Sequence, residues 1–415
     1  MTRFDSVSLG PPIEPFALNK AYLLDDSSHK VNLGAGVYRT EKGQPWVLPC
    51  VKKAEQIMAK DETLDHEYLP VLGYEPFCRL ATKLLLGADC PKITDGRAFG
   101  IQCLSGTGSL RVALEFLARI LGYKTVYVSL PTWENHKLVS KYAGFKHIRE
   151  YRYWHEESRG LDIDGMLEDL NEAEPNSVII LHCAAHNPTG CDPTKEQWQL
   201  IVECMKEKHL FPLFDIAYQG FASGDLDADV WPVRYFVDKG FELMCAQSFA
   251  KNFGLYNERV GNLTVVINDK SCLDSVKSQF TLVIRGMYSN PPSHGAKIVA
   301  MILNTESLRR EWKECMTIMS SRIKEMRIKL RDRLERLDTP GDWKHITTQI
   351  GMFSYTGLTL RQVEHLVKKY HIYIFKSGRI NMCGLNAENI DYVAQSFYNT
   401  IMSIPFDTSD QSIKS

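Results

Sequence analysis

The sequence predicts an α/β protein with a mostly parallel sheet, and three observations carry that reading. Short apolar runs alternate with helical stretches from about residue 99 to residue 267. That rhythm belongs to crossover units, whose helices cover both faces of a parallel sheet. Residues able to do chemistry collect at the ends of the apolar runs: Ser105, Gly106, Thr107, Trp133, Asn187, Asp215, Tyr218 and Lys251. Sheets of this class bind ligands at the carboxyl ends of their strands. Finally, a chain of 415 residues, 44% hydrophobic and 24% charged, suits two domains, or one large α/β domain with an appendage.

Composition narrows the function. A formal net charge of -1 gives no reason to expect nucleic acid or an anionic membrane surface as partner. No apolar run approaches the length of a membrane span. The first residues lack both the apolar core of a signal peptide and the Arg- and Ser-rich character of a transit segment. The 11 cysteines are scattered without a Cys-x-x-Cys pair, and Cys183 and Cys191 lie outside zinc spacing. The expectation is a cytoplasmic protein with reduced thiols and no metal.

Taken in order, residues 1–30 show little periodicity, and the prolines of 10–15 predict extended chain. Gly34 and Gly36 punctuate a short apolar segment, where they allow close backbone approach or simply form a turn. Helices at 49–59 and 74–86 flank a loop that displays Tyr68. A strand at 99–104 runs into a small-residue loop at 105–109, followed by a helix to about 121. Strands at 125–130, 147–154, 177–183, 211–214, 241–246 and 261–267 follow, with helices at 136–142, 163–170 and 195–207 between the earlier ones. A helix from 273 runs on towards Arg285, another covers 294–303, and a long charged helix at 308–337 reads as a bridge between domains. The remainder, to 402, reads as a smaller α+β region that presents Arg379 after a short strand.

Lys251 is the most informative residue. It follows an apolar run, where a partly desolvated lysine, or one near another cation, has a lowered pKa and can form a Schiff base with a carbonyl. Arg259 and Ser248 could hold an anion beside it. A carbonyl and a phosphate on one small molecule describe pyridoxal phosphate. The plain alternative is a surface turn with an ordinary lysine and arginine. Ser105, Gly106 and Thr107 between a strand and a helix make a second anion cradle, at the positive end of the helix dipole. It is not a P-loop, because no Gly-Lys-Ser/Thr follows.

Seven motifs then fall in one order: Ser105 to Thr107, Pro131 to His136, His186 to Gly190, Phe214 to Tyr218, Ser248 to Lys251 with Arg259, Ser289 to Pro292, and Ser377 to Asn381. With them the chain resembles the class I pyridoxal-phosphate-dependent aminotransferases, and among these the aspartate aminotransferases of the cytosolic animal type. The resemblance runs from about Pro12 to Met402. It implies pyridoxal-phosphate fold type I: a large domain with a mostly parallel seven-stranded sheet flanked by helices, plus a smaller α+β domain. It also implies an N-terminal arm and lid at 1–45, a large cofactor-binding domain at 46–315 and a small domain at 316–415. The implied reaction is ping-pong transfer of an amino group between aspartate and 2-oxoglutarate. Dicarboxylic amino acids and 2-oxo acids are then the substrates, and a homodimer shares its active sites. A broad-range or aromatic aminotransferase, or a non-catalytic relative, remains the alternative.

The resemblance assigns roles residue by residue. Lys251 would hold the cofactor covalently and then act as general base. Asp215 would keep the pyridine nitrogen protonated, where a lone Asp at a strand end otherwise reads as a helix cap. His136, and His182 less directly, would orient Asp215, or serve as buried structural histidines. Asn187 and Tyr218 would bond the phenolic oxygen, and Trp133 would stack on the ring or act as a core tryptophan. Ser105, Gly106, Thr107, Ser248 and Arg259 would bind the phosphate, with Tyr68 of a neighbouring subunit. Gly36, Trp133, Asn187 and Phe353 would line the substrate. Arg379 would take its α-carboxylate, and a neighbour's Arg285 its distal carboxylate. Glu14, Pro15 and Ala35 depart from the aliphatic lid of animal enzymes, so Glu14 is expected to weaken closure and repel a dicarboxylate. Ile216 replaces a small polar residue, and the connection at 121–125 is short.

Overall fold

The computed structural model describes residues 2–406. The chain divides into two compact units. The larger holds Pro45–Lys324 and Thr348–Met352; the smaller takes in the chain up to Gln44, Glu325–Thr347 and the chain from Phe353 onward.

The large unit is built on seven strands: β1 (Ala98–Leu104), β2 (Thr125–Leu130), β3 (His147–Arg152), β4 (Val178–His182), β5 (Phe211–Ile216), β6 (Leu243–Ser248) and β7 (Val260–Val266). Their order across the sheet is β1-β7-β6-β5-β4-β2-β3. All neighbouring pairs are parallel except those of β7, which is antiparallel to both β1 and β6. The central strands are apolar on both faces, as a sheet covered on both sides requires. Alternation sorts their side chains into two cores. Ile179, Leu181, Phe214, Ile216 and Cys245 join one cluster with Trp198 and Phe236. Val178, Ile180, Leu213, Met244 and Ala246 join the other, with Leu110, Val112, Leu114 and Leu117 of the helix Ser105–Arg119. Emptying a buried aromatic site such as Phe214 would cost about 3–5 kcal/mol. By the same alternation, Asp215 points to the face of Leu213, under the helix that starts at Ser105.

Four local readings change. Residues 105–109 are not a loop: the helix runs from Ser105 to Arg119. Gly, Ser and Thr are weak helix formers, and packing overrides them. A Cβ on Gly106 would stand 3.2 Å from Ser248 Cβ, and one on Gly108 would stand 2.8 Å from Leu104 Cβ. Asp215 lies within its strand rather than past it, and Ser248 is the last residue of β6. The N-terminal region contains a helix, Glu14–Leu24, none of whose residues is buried, so no apolar stripe announces it. A further helix, Trp231–Asp238, also went unread.

In the small unit, Val31–Asn32 pairs in parallel with Ile372–Tyr373, and Phe353–Tyr355 pairs antiparallel with Arg379–Asn381. Helices Leu360–Tyr370 and Ile390–Ser403 accompany them. Thr359 opens the first of these with a reciprocal cap, its hydroxyl accepting from the Gln362 N–H while the Gln362 side chain accepts from the Thr359 N–H.

Candidate active site

The carboxyl ends of β4, β5 and β6 bring Asp215, Tyr218, Asn187 and Lys251 to the end of the sheet where crossover folds bind ligands. The Asp215 side chain is 12% exposed. Burial pushes its pKa up, but the hydrogen bond from His136, with the positive field of Lys251, outweighs burial and holds it below the ordinary carboxylate value.

The support of Asp215 can be followed outward one hydrogen bond at a time. Burial, reinforced by His186 and His136, depresses the His182 pKa well below its ordinary value and keeps the ring neutral. The Asn187 N–H donates to His182 Nδ1 at 3.3 Å, which leaves the His182 proton on Nε2. That nitrogen is 3.2 Å from Thr132 Oγ1 and donates to it. The Thr132 hydroxyl then has its own proton for His136 Nδ1, at 2.8 Å. His136 Nε2 is left as the donor to Asp215 Oδ2, at 2.9 Å. Every donor in the chain finds one acceptor, and its end is a carboxylate that accepts. The sequence reading named both histidines and missed Thr132, the hydroxyl joining them; only its place beside Trp133 hinted at it.

A second layer holds the Asn187 loop. His186 is fully buried between Ser129 Oγ and Thr189 Oγ1, both at 2.8 Å, and it stacks on Tyr153 with ring centres 3.8 Å apart. The Asp192 carboxylate accepts from the backbone N–H groups of Ala185 (2.6 Å) and His186 (2.9 Å). Burial raises the Asp192 pKa to about 6 despite those bonds. In the sequence His186 stands only as the first residue of a motif, without a role, and Asp192 is not named.

Lys251 sits in the turn that follows β6, half-buried, with Nζ 5.6 Å from the centre of the Tyr218 ring. Trp133 is half-buried, edge-on to His136 with ring centres 5.4 Å apart. The anion cradle closes the group. Ser105 and Ser248 place their hydroxyls 3.0 Å apart, and the Ser105 N–H donates to the Arg259 carbonyl at 3.0 Å. Asn135 donates to Thr107 Oγ1 at 3.4 Å. Ser105 (φ 61) and Arg259 (φ 52) both adopt the left-handed conformation that non-glycine residues avoid. Such strain persists only where surrounding contacts impose it, and it concentrates at functional sites. Gly261 makes the approach possible, since a Cβ there would lie 2.5 Å from the Ser105 carbonyl carbon. The Arg259 guanidinium itself donates to the Tyr256 carbonyl at 2.9 Å. Helix N–H groups and two hydroxyls suit a phosphate ester, and an amine beside a buried carboxylate suits an aromatic carbonyl compound with a basic ring nitrogen.

Within the small unit, Arg379 is 7% exposed. Its Cζ lies 4.0 Å from the Phe353 ring centre and 3.7 Å from that of Phe375, and Nη2 donates to the Gly34 carbonyl at 3.0 Å. A Cβ on Gly36 would meet Phe353 Cζ at 3.3 Å. Tyr68, 88% exposed, and Arg285, exposed with its guanidinium on the Ser289 hydroxyl, are not brought into either group. Among the described residues no cluster of three or more His, Cys, Asp or Glu is placed to hold a metal ion.

This fold and this constellation define a class. The family model for class I and II aminotransferases matches residues 28–397, and the chain belongs to that family. It is 55% identical over 404 residues to a cytoplasmic aspartate aminotransferase of Caenorhabditis elegans, covering 97% of this chain and 99% of that one. A solved aspartate aminotransferase from Saccharomyces cerevisiae cytoplasm matches with a TM-score of 0.94 and 42% identity, over 97% of this chain and 99% of that one. An aromatic-amino-acid aminotransferase from Burkholderia pseudomallei, solved covalently bound to pyridoxal phosphate, matches with a TM-score of 0.93 and 40% identity, over 96% of this chain and 100% of that one.

Proposed function

We propose that this chain is a cytoplasmic aspartate aminotransferase that passes the amino group of aspartate to 2-oxoglutarate, with pyridoxal phosphate held on Lys251. The observation that carries the reading is an amine, a buried carboxylate and an anion cradle at one end of one sheet, in a chain 55% identical to a named aspartate aminotransferase. When bound, pyridoxal phosphate supplies a carbonyl that condenses with amines and a ring that withdraws electrons from the adjacent carbon. The chain's own residues do the rest. Ser105, Gly106, Thr107, Ser248 and Arg259 would hold the phosphate, and Trp133 would lie against the ring. Asn187 and Tyr218 would bond the phenolic oxygen. Asp215, kept ionised by His136, holds a proton on the ring nitrogen. Lys251 Nζ takes the proton from the substrate's α-carbon.

Arg379, whose guanidinium lies over the Phe353 and Phe375 rings, takes the α-carboxylate as a charge-assisted pair. In a homodimer with shared sites, Tyr68 of the partner subunit would reach the phosphate and Arg285 of the partner subunit the distal carboxylate. The exposure of both residues in the chain is consistent with such a role.

The competing reading is a broad-range or aromatic aminotransferase. It has a specific basis, since an aromatic enzyme shares the fold as closely as an aspartate enzyme does. Substrate choice therefore rests on identity to relatives rather than on backbone shape. Purified protein loaded with pyridoxal phosphate should transaminate aspartate with 2-oxoglutarate far faster than phenylalanine. Equal or faster use of phenylalanine would replace the aspartate assignment, and no transfer from either would remove the enzymatic one.

A further inference from the structure

Glu14 opens the helix Glu14–Leu24, where its charge complements the positive end of the helix dipole and Pro15 sets the entry. Those local effects would be served equally by a carboxylate pointing at water. Instead Glu14 Oε1 accepts the backbone N–H of Lys376 at 2.6 Å, a short charge-assisted bond across most of the sequence. Lys376 belongs to a tight turn that delivers Arg379. The Gly378 N–H donates to the Phe375 carbonyl at 2.9 Å and the Phe375 N–H to the Arg379 carbonyl at 3.3 Å. Gly378 adopts a φ of 78, and its carbonyl accepts from the Thr356 hydroxyl at 2.8 Å.

One helical turn after Glu14, Leu18 packs on Gly34, where an added Cβ would meet Leu18 Cδ2 at 2.2 Å and Phe375 at 3.6 Å. Gly34 is the residue whose carbonyl receives the Arg379 guanidinium. Glu14 and Leu18, on one face of the helix, thus grip the two segments that hold Arg379: the turn before it and the carbonyl beside it.

We propose that Glu14 is a positioning residue for Arg379. Its carboxylate latches the N-terminal helix to the Lys376 amide and presets the guanidinium for a substrate carboxylate. This rests on the reading of Arg379 as the α-carboxylate receptor. It gives Glu14 a role other than hindering a dicarboxylate, because its carboxylate is turned onto a backbone N–H of its own chain. It also assigns a shared effect on all substrates, since every amino acid carries the α-carboxylate.

The test compares Glu14→Ala with Glu14→Gln in the loaded enzyme, using aspartate and phenylalanine as substrates, together with hydrogen exchange at the Lys376 amide. A hydrogen bond to an exposed charged group sets the scale. Glu14→Ala should raise KM for both substrates by a similar factor, about 3- to 10-fold, with kcat nearly unchanged, and the Lys376 amide should exchange faster. Glu14→Gln keeps an acceptor oxygen and should recover most of both losses. Unchanged KM and unchanged exchange in Glu14→Ala would overturn the latch. So would a KM rise for aspartate alone, or a Gln variant no better than Ala. If the wild-type enzyme uses neither substrate, the functional reading fails, and the Lys376 exchange difference alone decides the latch.

Discussion

Asp215 and Arg379 are buried ions of opposite sign, one in each unit, and the protein keeps them charged by opposite means. Asp215 is surrounded by polar partners, reached through His136, Thr132 and His182, each bond fixing the direction of the next. Arg379 lies over two phenyl faces and donates to the Gly34 carbonyl. The carboxylate must stay ionised in a site whose burial favours the neutral acid, so it needs a donor locked in place. The guanidinium stays charged in almost any surroundings, and its task is to keep N–H groups available for an incoming carboxylate. Aromatic faces fix its plane without using those donors. The general lesson is that an ion whose charge state is vulnerable is wired, and an ion whose orientation matters is sandwiched.

Of the two ions, the larger expected effect tests Arg379. Arg379→Ala removes the partner of a desolvated carboxylate, which typically costs ~2–5 kcal/mol, or roughly 30- to several thousand-fold in kcat/KM. The loss should appear with aspartate and phenylalanine alike in steady-state assays. Arg285→Ala should instead lose at least ~10²-fold for aspartate and far less for phenylalanine, which has no distal carboxylate. Equal losses for both substrates in Arg285→Ala would make it an ordinary helix-end arginine.

Next comes the wired ion. Asp215→Asn keeps the shape and removes the charge, and loss of one preorganised electrostatic group costs ~10²–10³-fold in kcat. Stopped-flow half-reactions should show this slowing while cofactor binding persists. A rate within a few-fold of wild type would mean that the charge is not needed.

A smaller effect probes the wire itself. His136→Leu removes the donor to Asp215, leaving burial, the largest influence on that carboxyl, to raise its pKa. A carboxylate whose folded pKa is depressed stabilises the fold above the unfolded value and loses that contribution as pH falls through the folded one. Without His136 the acid limb of kcat/KM should therefore move to higher pH, and acid unfolding should begin at higher pH. An acid limb that does not move would place the control of Asp215 elsewhere.

The smallest effect belongs to a surface cluster. The Tyr373 hydroxyl and the Ser27 N–H, with His371, lower the Asp25 pKa from 3.8 to about 2. Its contribution should be present above about pH 4 and disappear as pH falls towards 2. Thermal melts of Asp25→Asn should differ from wild type near neutrality and converge at the acid end. A constant difference across that range would mean that the titration is uncoupled from folding.

How much of this was legible in the sequence follows from what each feature depends on. The sheet was legible because β4, β5 and β6 are apolar on both faces, and the residues past their ends carry unusual chemistry for a loop. Asp215 and Lys251 stood out for the same reason. The helix Glu14–Leu24 was not legible, because none of its residues is fully buried and it carries no apolar stripe to read. The helical start at Ser105 was hidden by residues with poor intrinsic propensity, small because Ser248 and Leu104 leave little room for a side chain at Gly106 and Gly108. Thr132 could not be read as a bridge, since its meaning depends on two histidines from other positions meeting it. Arg379 was visible as a charge after a short strand, but its place between Phe353 and Phe375 is a tertiary fact.

The most direct test is a single turnover read by eye and by product. Aspartate is added to the purified protein loaded with pyridoxal phosphate, without 2-oxoglutarate, while the visible spectrum and oxaloacetate are followed. Wild type should lose its yellow colour as oxaloacetate appears in an amount matching the active sites, and added 2-oxoglutarate should restore the colour. Lys251→Ala, which removes none of the side chains assigned to the phosphate, should stay folded and bind cofactor yet slow this exchange by at least ~10²–10⁴-fold, the scale of a lost general base. A wild-type spectrum unmoved by aspartate, or near-normal turnover in Lys251→Ala, would contradict the assignment.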